Sequence, residues 1–389
     1  MKILIDLRSV DYGHSGGIEN YAYYLIESIK KQGVELILDV PFTSRKKYKI
    51  KYKNDKNIKI ISDPVQWAAI YSKSNNKIIS KSMNLIGRTF FRWFNIEFLR
   101  RRVRWANSID ADLAYYPYHL DELQHFKIPV VTTIHALLPN YLELEFKAIS
   151  SHIKKAKSLI TSWNYPYQEL IEKYPFRKDS WYLIHYIAIH NVNVDKQIKV
   201  GGIDYPYYLY ISFFIERKNQ INLIHAYNIA RNKQINLPKL VLVGAGDKSY
   251  KQKVIELISD LDLNESIRVF DYLPDENISY LYHNCKAVIA PTLWEAASGT
   301  VLEASYCGKP VLCSNVPPLT DFAEYFNLKM RFFDPKDIED IAKEILSFEK
   351  NSADLINAAK ENSKIFQKYD INYFGDKIMQ VFNNAIKIS

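Results

Sequence analysis

Residues 287–313 read AVIAPTLWEAASGTVLEASYCGKPVLC. The apolar run Ala287 to Ala290 has the length of a buried strand. A polar loop and a helix follow, and Gly308-Lys309-Pro310 opens the next strand, Val311 to Cys313. A strand, a helix and another strand in so short a span are the unit from which parallel sheets are built. Working outward, the same alternation of short apolar runs with longer amphipathic segments recurs along the chain, so the fold class is α/β. In the first half the strand candidates are Ile3 to Leu7, Glu35 to Val40, Leu113 to Tyr116, Val130 to His135, Ser158 to Thr161 and Trp181 to Ile189. In the second half they are Tyr207 to Ser212, Lys239 to Val243, Ile267 to Phe270, Ala287 to Ala290 and Val311 to Cys313.

Between these sets, Asn191 to Pro206 is polar and carries Gly201, Gly202 and Pro206, which reads as a linker. The expected division is residues 1–190, a linker 191–206, and residues 207–370, each flanking part a doubly wound domain. The chain ends in helical patterns over Pro335 to Glu349, Ala353 to Tyr369 and Ile371 to Ile386, and the segment 371–389 is expected to cross back onto the first domain. No internal repeat with a period of 20 to 50 residues is present.

A chain of 389 residues, 48% hydrophobic and 24% charged, has room for two cores and excludes disordered, fibrous and disulfide-stapled classes. Its three cysteines, Cys285, Cys307 and Cys313, include no CxxC pair, which fits a reducing cytosol. The run Ile3 to Ile5 is cut by Asp6 and Arg8, too short for a secretory signal, and no uncharged stretch reaches the roughly 18 to 20 residues of a spanning helix. A cytoplasmic location is expected, with any membrane contact made from the surface. The net charge of +9 favours anionic partners, without choosing among phosphates, nucleic acid and an acidic bilayer.

Three stretches can carry chemistry. Gly16-Gly17 stands between the first strand and a helix, where backbone amides can approach a phosphate or sugar; a tight turn is the alternative. Arg217-Lys218 follows strand Tyr207 to Ser212 and would stand at the crevice rim, able to neutralise a diphosphate; a solvated turn is the alternative. Glu295 lies in the loop after Ala287 to Ala290, and Glu303 is placed two turns into the helix. The small residues Ala297, Ser298, Gly299 and Thr300 leave the helix amides uncovered. Amides that bind an anion, with a carboxylate on either side to accept sugar hydroxyls, describe a nucleotide-sugar site.

The Glu295-x7-Glu303 arrangement, Leu302-Glu303-Ala304, Gly308-Lys309-Pro310-Val311, Glu216-Arg217-Lys218-Asn219, Gly16-Gly17-Ile18-Glu19 and Asp271-Tyr272-Leu273-Pro274-Asp275-Glu276 together resemble the GT-B glycosyltransferases of family 4, the glycosyl transferases group 1. The resemblance covers most of the chain. It implies two Rossmann-like domains facing each other across a cleft, a nucleotide-sugar donor held by the C-terminal one, a glycan acceptor held by the other, and transfer with retention. It places Lys218 at the donor phosphates, Glu303 at the ribose and Glu295 at the donor sugar. Through the segment VVTTIHALLP it sets His135 facing that sugar. Ser298, Gly299 and Thr300 would add donor-binding amides.

Three departures accompany the resemblance. The family's Gly-Arg ahead of Arg-Lys-Asn is Ser212-Phe213, so one phosphate cation is missing and Arg217 is the candidate substitute. The usual Glu-Gly-Phe-Gly is Glu295-Ala296-Ala297-Ser298, and Ser162-Trp163-Asn164 replaces a Ser-Glu pattern. They motivate a rival reading, a binding subunit that has lost catalysis.

Asp110-Ala111-Asp112 is formally a DxD but precedes its strand, and no His, Cys and Glu cluster has metal spacing, so neither a metal nor another cofactor is expected. No nucleic-acid module is visible, and no nucleic-acid partner is expected. Two basic regions remain: Arg45 to Lys59 holds eight Lys or Arg against Asp55, and Arg88 to Arg104 mixes six Arg with aromatic rings. Basic-aromatic mixtures suit anionic headgroups and would also suit single-stranded nucleic acid, with a solvated face as the alternative; Arg88 to Trp105 is the expected membrane anchor. The expected enzyme is therefore a retaining, metal-independent glycosyltransferase, peripheral on the inner face of the cytoplasmic membrane, acting on a lipid-linked glycan in cell-surface polysaccharide synthesis.

Overall fold

The computed structural model describes residues 1–10, 17–63, 105, 107–118, 123, 126–135, 143–186, 192, 197–295 and 298–387. They form two compact units. One gathers Met1–Ser162, Glu169–Ile184 and Ile371–Ser389; the other gathers Trp163–Gln168 and His185–Asp370.

The first unit is built on a seven-stranded sheet in the order β3-β2-β1-β4-β5-β6-β7. Its strands are β1 (Lys2–Asp6), β2 (Glu35–Asp39), β3 (Ile58–Ile61), β4 (Leu113–Tyr116), β5 (Val130–Thr133), β6 (Ser158–Thr161) and β7 (Trp181–Leu183). The second holds six strands in the order β10-β9-β8-β11-β12-β13. These are β8 (Tyr207–Ile211), β9 (Lys239–Val243), β10 (Ile267–Phe270), β11 (Ala287–Ala290), β12 (Val311–Ser314) and β13 (Arg331–Phe333). Every pairing in both sheets is parallel. The α/β class and the two doubly wound sheets are those the alternating pattern implies. Central strands such as β4 and β11 are buried at every position, which is why they read as uninterrupted apolar runs.

Chain order and sheet order diverge at one place in each sheet. From β8 the chain winds outward to β9 and β10, then returns to lay β11 against the other side of β8. In the first unit the same reversal separates β1 from β4. Loops that leave the carboxyl ends of these strand pairs diverge, and the crevice between them is where open α/β sheets bind ligands.

Two elements fall outside the sequence reading, β3 and β13, and both are edge strands. Edges are only partly covered, so β3 alternates with exposed Lys59 and β13 opens on Arg331; neither presents a full apolar run. Of the segment 191–206, the described residues 192 and 197–206 also depart from the linker reading. Val192, Val200 and Ile203 are 2%, 5% and 3% exposed within the second unit's core, and the second unit already begins at His185. Three β-branched anchors among polar residues are enough to dock it.

Helix α1 (Gly17–Lys30) packs on the sheet of the first unit, and the last helix of the chain, Ile371–Lys387, packs on α1. That last helix buries Phe374, Ile378, Val381, Phe382 and Ala385, a stripe at helical spacing. Burial of each large side chain is worth about 1.5–3 kcal/mol. Gly375 permits the approach, since a β-carbon there would stand 2.8 Å from the Ser28 carbonyl oxygen. No helix among the described residues is long and apolar enough to cross a membrane.

Candidate functional site

The crevice between β8 and β11 is built by two loops that lace to each other. After β8 the chain makes a short 3-10 turn, Glu216–Lys218, and Asn219 then takes the left-handed conformation at φ 61°. Asn219 is 5% exposed and its Nδ2 donates to the carbonyls of Pro291 at 2.9 Å and Pro335 at 2.7 Å. The Arg217 carbonyl accepts from the Leu293 amide at 2.8 Å and the Thr292 hydroxyl at 3.1 Å, while the Tyr210 hydroxyl donates to the Lys218 carbonyl at 2.9 Å. Every carbonyl so tied fixes the direction of the side chains between them.

Behind this turn lies a Gly-Ala-Gly loop that belongs to none of the motifs singled out in the sequence. Gly244 and Gly246 have φ of 153° and 155°. A β-carbon would stand 2.0 Å from the Ser212 oxygen at the first and 2.4 Å from the Phe214 nitrogen at the second. Only glycine fits there. Phe214 N donates to Ala245 O at 2.8 Å, and Gln220 Nε2 holds the Ser212 hydroxyl and the Phe213 carbonyl at 3.0 and 2.9 Å. The spacing Gly-x-Gly directly after an apolar strand is the signal that marks it.

The result is a cluster of three charges. The Lys218 ammonium and the Arg217 guanidinium both pair with the Glu295 carboxylate, the latter at 3.2 Å. The Glu295 side chain is 5% exposed, Lys218 13% and Arg217 43%. Burial lowers the Lys218 pKa from its ordinary value, and the adjoining carboxylate opposes that shift. Two cations around one carboxylate leave an excess positive charge, at low dielectric, where a ligand would enter.

Beyond them the helix Gly299–Tyr306 starts with Ser298 as its cap, the hydroxyl accepting from the Val301 amide at 3.4 Å. Nothing lies within 4 Å of where a Gly299 β-carbon would be. The Thr300 hydroxyl is instead turned to the Ile211 carbonyl, which ties the helix to the end of β8. Glu303 is the fifth residue of the helix, one turn in rather than two. Burial, and then the Glu303 charge, raise the pKa of the Tyr282 hydroxyl well above the ordinary value. Ala296 and Ala297 lie outside the described residues, as does Gly16.

In the first unit Gly17 opens α1, with nothing within 4 Å of where its β-carbon would be. His135 follows β5, its Nε2 donating to the Pro117 carbonyl at 3.0 Å, and its ring meets the Tyr21 ring edge-on at 4.7 Å. Burial depresses its pKa to about 4. Tyr21 is itself held by the hydroxyls of Tyr115 at 2.8 Å and Thr133 at 3.0 Å. No local sequence pattern reveals this group of hydroxyls, because its members lie on three separate elements.

The Asp110-Ala111-Asp112 turn serves the backbone: Asp112 accepts the Lys2 amide at 2.8 Å and Asp110 pairs with the Lys2 ammonium. Among the described residues no three His, Cys, Asp or Glu side chains gather as metal ligands. The three cysteines are free, and burial pushes the Cys285 thiol up to about 12. Trp163 packs edge-on against Phe322 at 5.3 Å, and Asn164 donates to Asp321 at 2.9 Å, so the altered Ser162-Trp163-Asn164 segment is anchored in the second unit from Trp163 onward. Of the basic stretch Arg88 to Trp105, only Trp105 is among the described residues.

Residues 193–366 match the family described as Glycosyl transferases group 1. Over 141 residues the chain is 32% identical to O-antigen chain mannosyltransferase B of Escherichia coli, covering 36% of this chain and 36% of that one. Over 150 residues it is 28% identical to the O-antigen biosynthesis glycosyltransferase WclY of Escherichia coli, covering 38% and 40%. The matched stretches thus span well under half of these relatives. In structure the chain is similar to HepE of Anabaena, solved with UDP and glucose, at a TM-score of 0.71 and 15% identity over 99% of this chain and 100% of that one. It is similar also to sucrose-phosphate synthase of Thermosynechococcus elongatus, at 0.72 and 16% identity over all of both. The GT-B glycosyltransferase likeness implied by the motifs is met.

Proposed function

We propose, from a GT-B fold and a group 1 glycosyl transferase match over residues 193–366, that the protein moves a sugar from a nucleotide-sugar donor to a lipid-linked glycan acceptor. Transfer proceeds with retention and without a metal, in the synthesis of a cell-surface polysaccharide at the inner face of the cytoplasmic membrane. The observation that carries this reading is the crowding of Arg217 and Lys218 around buried Glu295 at the β8–β11 crevice. Support for the substrate classes comes from relatives named for O-antigen mannosyl transfer and from a structural neighbour solved with UDP and glucose.

In this reading the donor diphosphate meets Lys218, with Arg217 as second cation, and the amides of Ser298, Gly299 and Thr300. Glu295 accepts hydroxyls of the donor sugar and Glu303 those of the ribose. Gly16, Gly17 and His135, in the first unit, are assigned to the sugar on the strength of the motif resemblance. The bond from the anomeric carbon to the diphosphate breaks, and its electron pair leaves with the diphosphate. The acceptor oxygen bonds the same carbon on the same face, and its proton passes to the departing phosphate oxygen. Preorganised cations and amides, aimed where this negative charge develops, lower the barrier without a metal.

Lys218→Ala is expected to reduce turnover by about 10³-fold, judged by what single preorganised donors are worth, with the thermal unfolding profile retained. Full turnover in that variant overturns the assignment. The rival reading, a binding subunit without catalysis, rests on Phe213, 47% exposed where the family carries a cation. Calorimetry with a panel of nucleotide sugars, followed by turnover on glycan acceptors, separates the two: tight binding with no transfer favours the rival.

A further inference from the structure

The helix Lys248–Asp260 begins where the Gly-Ala-Gly loop ends. Its cap Asp247 accepts the Tyr250 amide at 2.8 Å, and the Asp247 amide donates back to the Phe214 carbonyl at 2.9 Å. Lys251, the fourth residue of this helix, closes its first turn, where the helix dipole disfavours a cation. Its side chain is nevertheless only 15% exposed. Burying an ammonium is costly unless its protons find acceptors, so the reason for a lysine lies in what it bonds.

Lys251 Nζ donates to the Gly244 carbonyl at 3.0 Å, to the Asp271 carboxylate and, more loosely, to the Phe270 carbonyl at 3.4 Å. It also lies 4.6 Å from the centre of the buried Phe214 ring. One ammonium thus ties the end of β9, the end of β10 and the segment that leaves β8. The Gly244 amide donates to the same Phe270 carbonyl at 3.1 Å, and Phe214 pairs with Gly246 in a short parallel bridge. After Phe214 come Ile215 and the turn Glu216–Lys218. Lys251 fixes the Gly-Ala-Gly loop, the loop fixes Phe214, and Phe214 leads into the turn. We propose that Lys251 is a positioning residue of the crevice between β8 and β11, setting Arg217 and Lys218 where an anionic diphosphate meets them. The proposal rests on the nucleotide-sugar reading of that crevice. Without the ammonium, the Gly244 carbonyl loses this donor, the Phe270 carbonyl keeps the Gly244 amide, and the loop is free to shift against Phe214. A misplacement of about 1 Å at a positioned group can cost about 100-fold in rate.

The test uses the full-length protein and Lys251→Met, which keeps the side chain's length and cannot donate. Calorimetry with inorganic pyrophosphate reads the two cations without a sugar, and steady-state kinetics with a nucleotide sugar reads transfer. Lys251→Met should weaken pyrophosphate binding about 10-fold, the worth of roughly one charge-assisted hydrogen bond. It should lower kcat/KM for the nucleotide sugar by about 100-fold and leave the KM of the acceptor unchanged. The loss of pyrophosphate affinity should persist at high salt, because the pull of a remote cation is screened there and a displaced turn is not. Lys251→Arg, which keeps the charge and the donors, should recover part of it. If the methionine variant does not fold, Lys251→Gln takes its place under the same expectation. A lowered unfolding temperature with pyrophosphate affinity unaltered overturns the proposal, because Lys251 then only supports the start of its helix. So does a loss confined to low salt, or an unaltered chain that binds no pyrophosphate. If the unaltered chain binds pyrophosphate but turns over no nucleotide sugar, the glycosyltransferase reading fails, and the pyrophosphate comparison still decides the role of Lys251.

Discussion

The carboxyl ends of the two sheets carry charge of opposite sense. In the second unit two cations, Arg217 and Lys218, surround one carboxylate, Glu295. In the first, Asp6 ends β1 and Asp39 ends β2 beside it in register, both buried, with Arg8 bonded to Asp6 at 2.9 Å and lying 3.5 Å from Asp39. Buried Asp63 adds a third carboxyl close by, its amide donating to Asp39 at 3.0 Å. One architecture thus carries a cation-rich edge in one unit and a carboxyl-rich edge in the other. A parallel sheet determines where a crevice opens, whereas the loop residues determine what can enter it.

After Lys218→Ala, the largest expected effect sharpens the cationic side of that contrast. Glu295→Gln removes the charge that occupies both cations and keeps the side-chain volume. Transfer should fall by about 100-fold, as for loss of one preorganised polar group. Affinity for a nucleoside diphosphate lacking the sugar should rise, because Lys218 and Arg217 are released to it. If calorimetry shows diphosphate binding weakened, then Glu295 organises the cations instead of competing for them, and the contrast of sign loses its functional meaning.

The next effect concerns how that edge is held. Asn219→Ala deletes two buried hydrogen bonds, leaving the Pro291 carbonyl without this donor and the Pro335 carbonyl with only Asn222 Nδ2 at 3.2 Å, which should cost about 2 kcal/mol by chemical denaturation. Asn219→Gly relieves the left-handed backbone but not the lost bonds, so it should recover only the smaller share. Recovery of full stability by glycine would mean that φ alone explains the residue.

These two residues also show what sequence can and cannot convey. Arg217, Lys218 and Glu295 can be drawn to one site from the chain alone, because each follows a strand whose apolar run is unmistakable and the rule for parallel sheets supplies the rest. Asn219 is legible only as a letter in a motif. Its partners are 72 and 116 residues away, and nothing in local pattern foretells a side chain that spans two loops. The same limit hides Tyr21, Tyr115 and Thr133, whose hydroxyls meet from α1, β4 and β5. Edge strands β3 and β13 escape for the reverse reason: half-covered strands need no apolar run. Segment 191–206 reads as a linker because its polar residues outnumber the three anchors that bury it.

A third effect tests the first unit through pH. His135 titrates at about 4 in the folded chain, well below its ordinary 6.5, because burial disfavours the cation. The unfolded chain therefore binds more protons between those values, and the contribution to stability is complete above about pH 6.5 and lost as pH falls towards 4. Discounted for its partly open ring, the loss is up to about 2 kcal/mol. His135→Gln can keep a donor to the Pro117 carbonyl and does not titrate, so the difference between the two stability profiles should shrink across this window. Parallel profiles would show that the imidazole is hydrated and freely protonated.

The smallest effect reaches the acidic edge itself and has the opposite sign. Burial and then the Asp6 charge raise the Asp39 pKa well above 3.8, while Arg8 pulls the other way. A carboxyl whose folded pKa is raised contributes stability that is complete below the unfolded value and is lost as pH rises through the folded one. At neutral pH, above the unfolded value, the buried carboxyl is therefore a burden. Asp39→Asn keeps an oxygen that can accept from the Asp63 amide, and Arg8 retains Asp6. The variant should be more stable than the natural chain by about 1 kcal/mol at pH 7, with the advantage gone near pH 4. Loss of stability at pH 7 would mean that the Arg8 pairing outweighs the crowding of carboxyls, and that this edge is neutralised rather than left acidic. The two sheets would then differ in geometry alone, and the sense of their charge would cease to separate them.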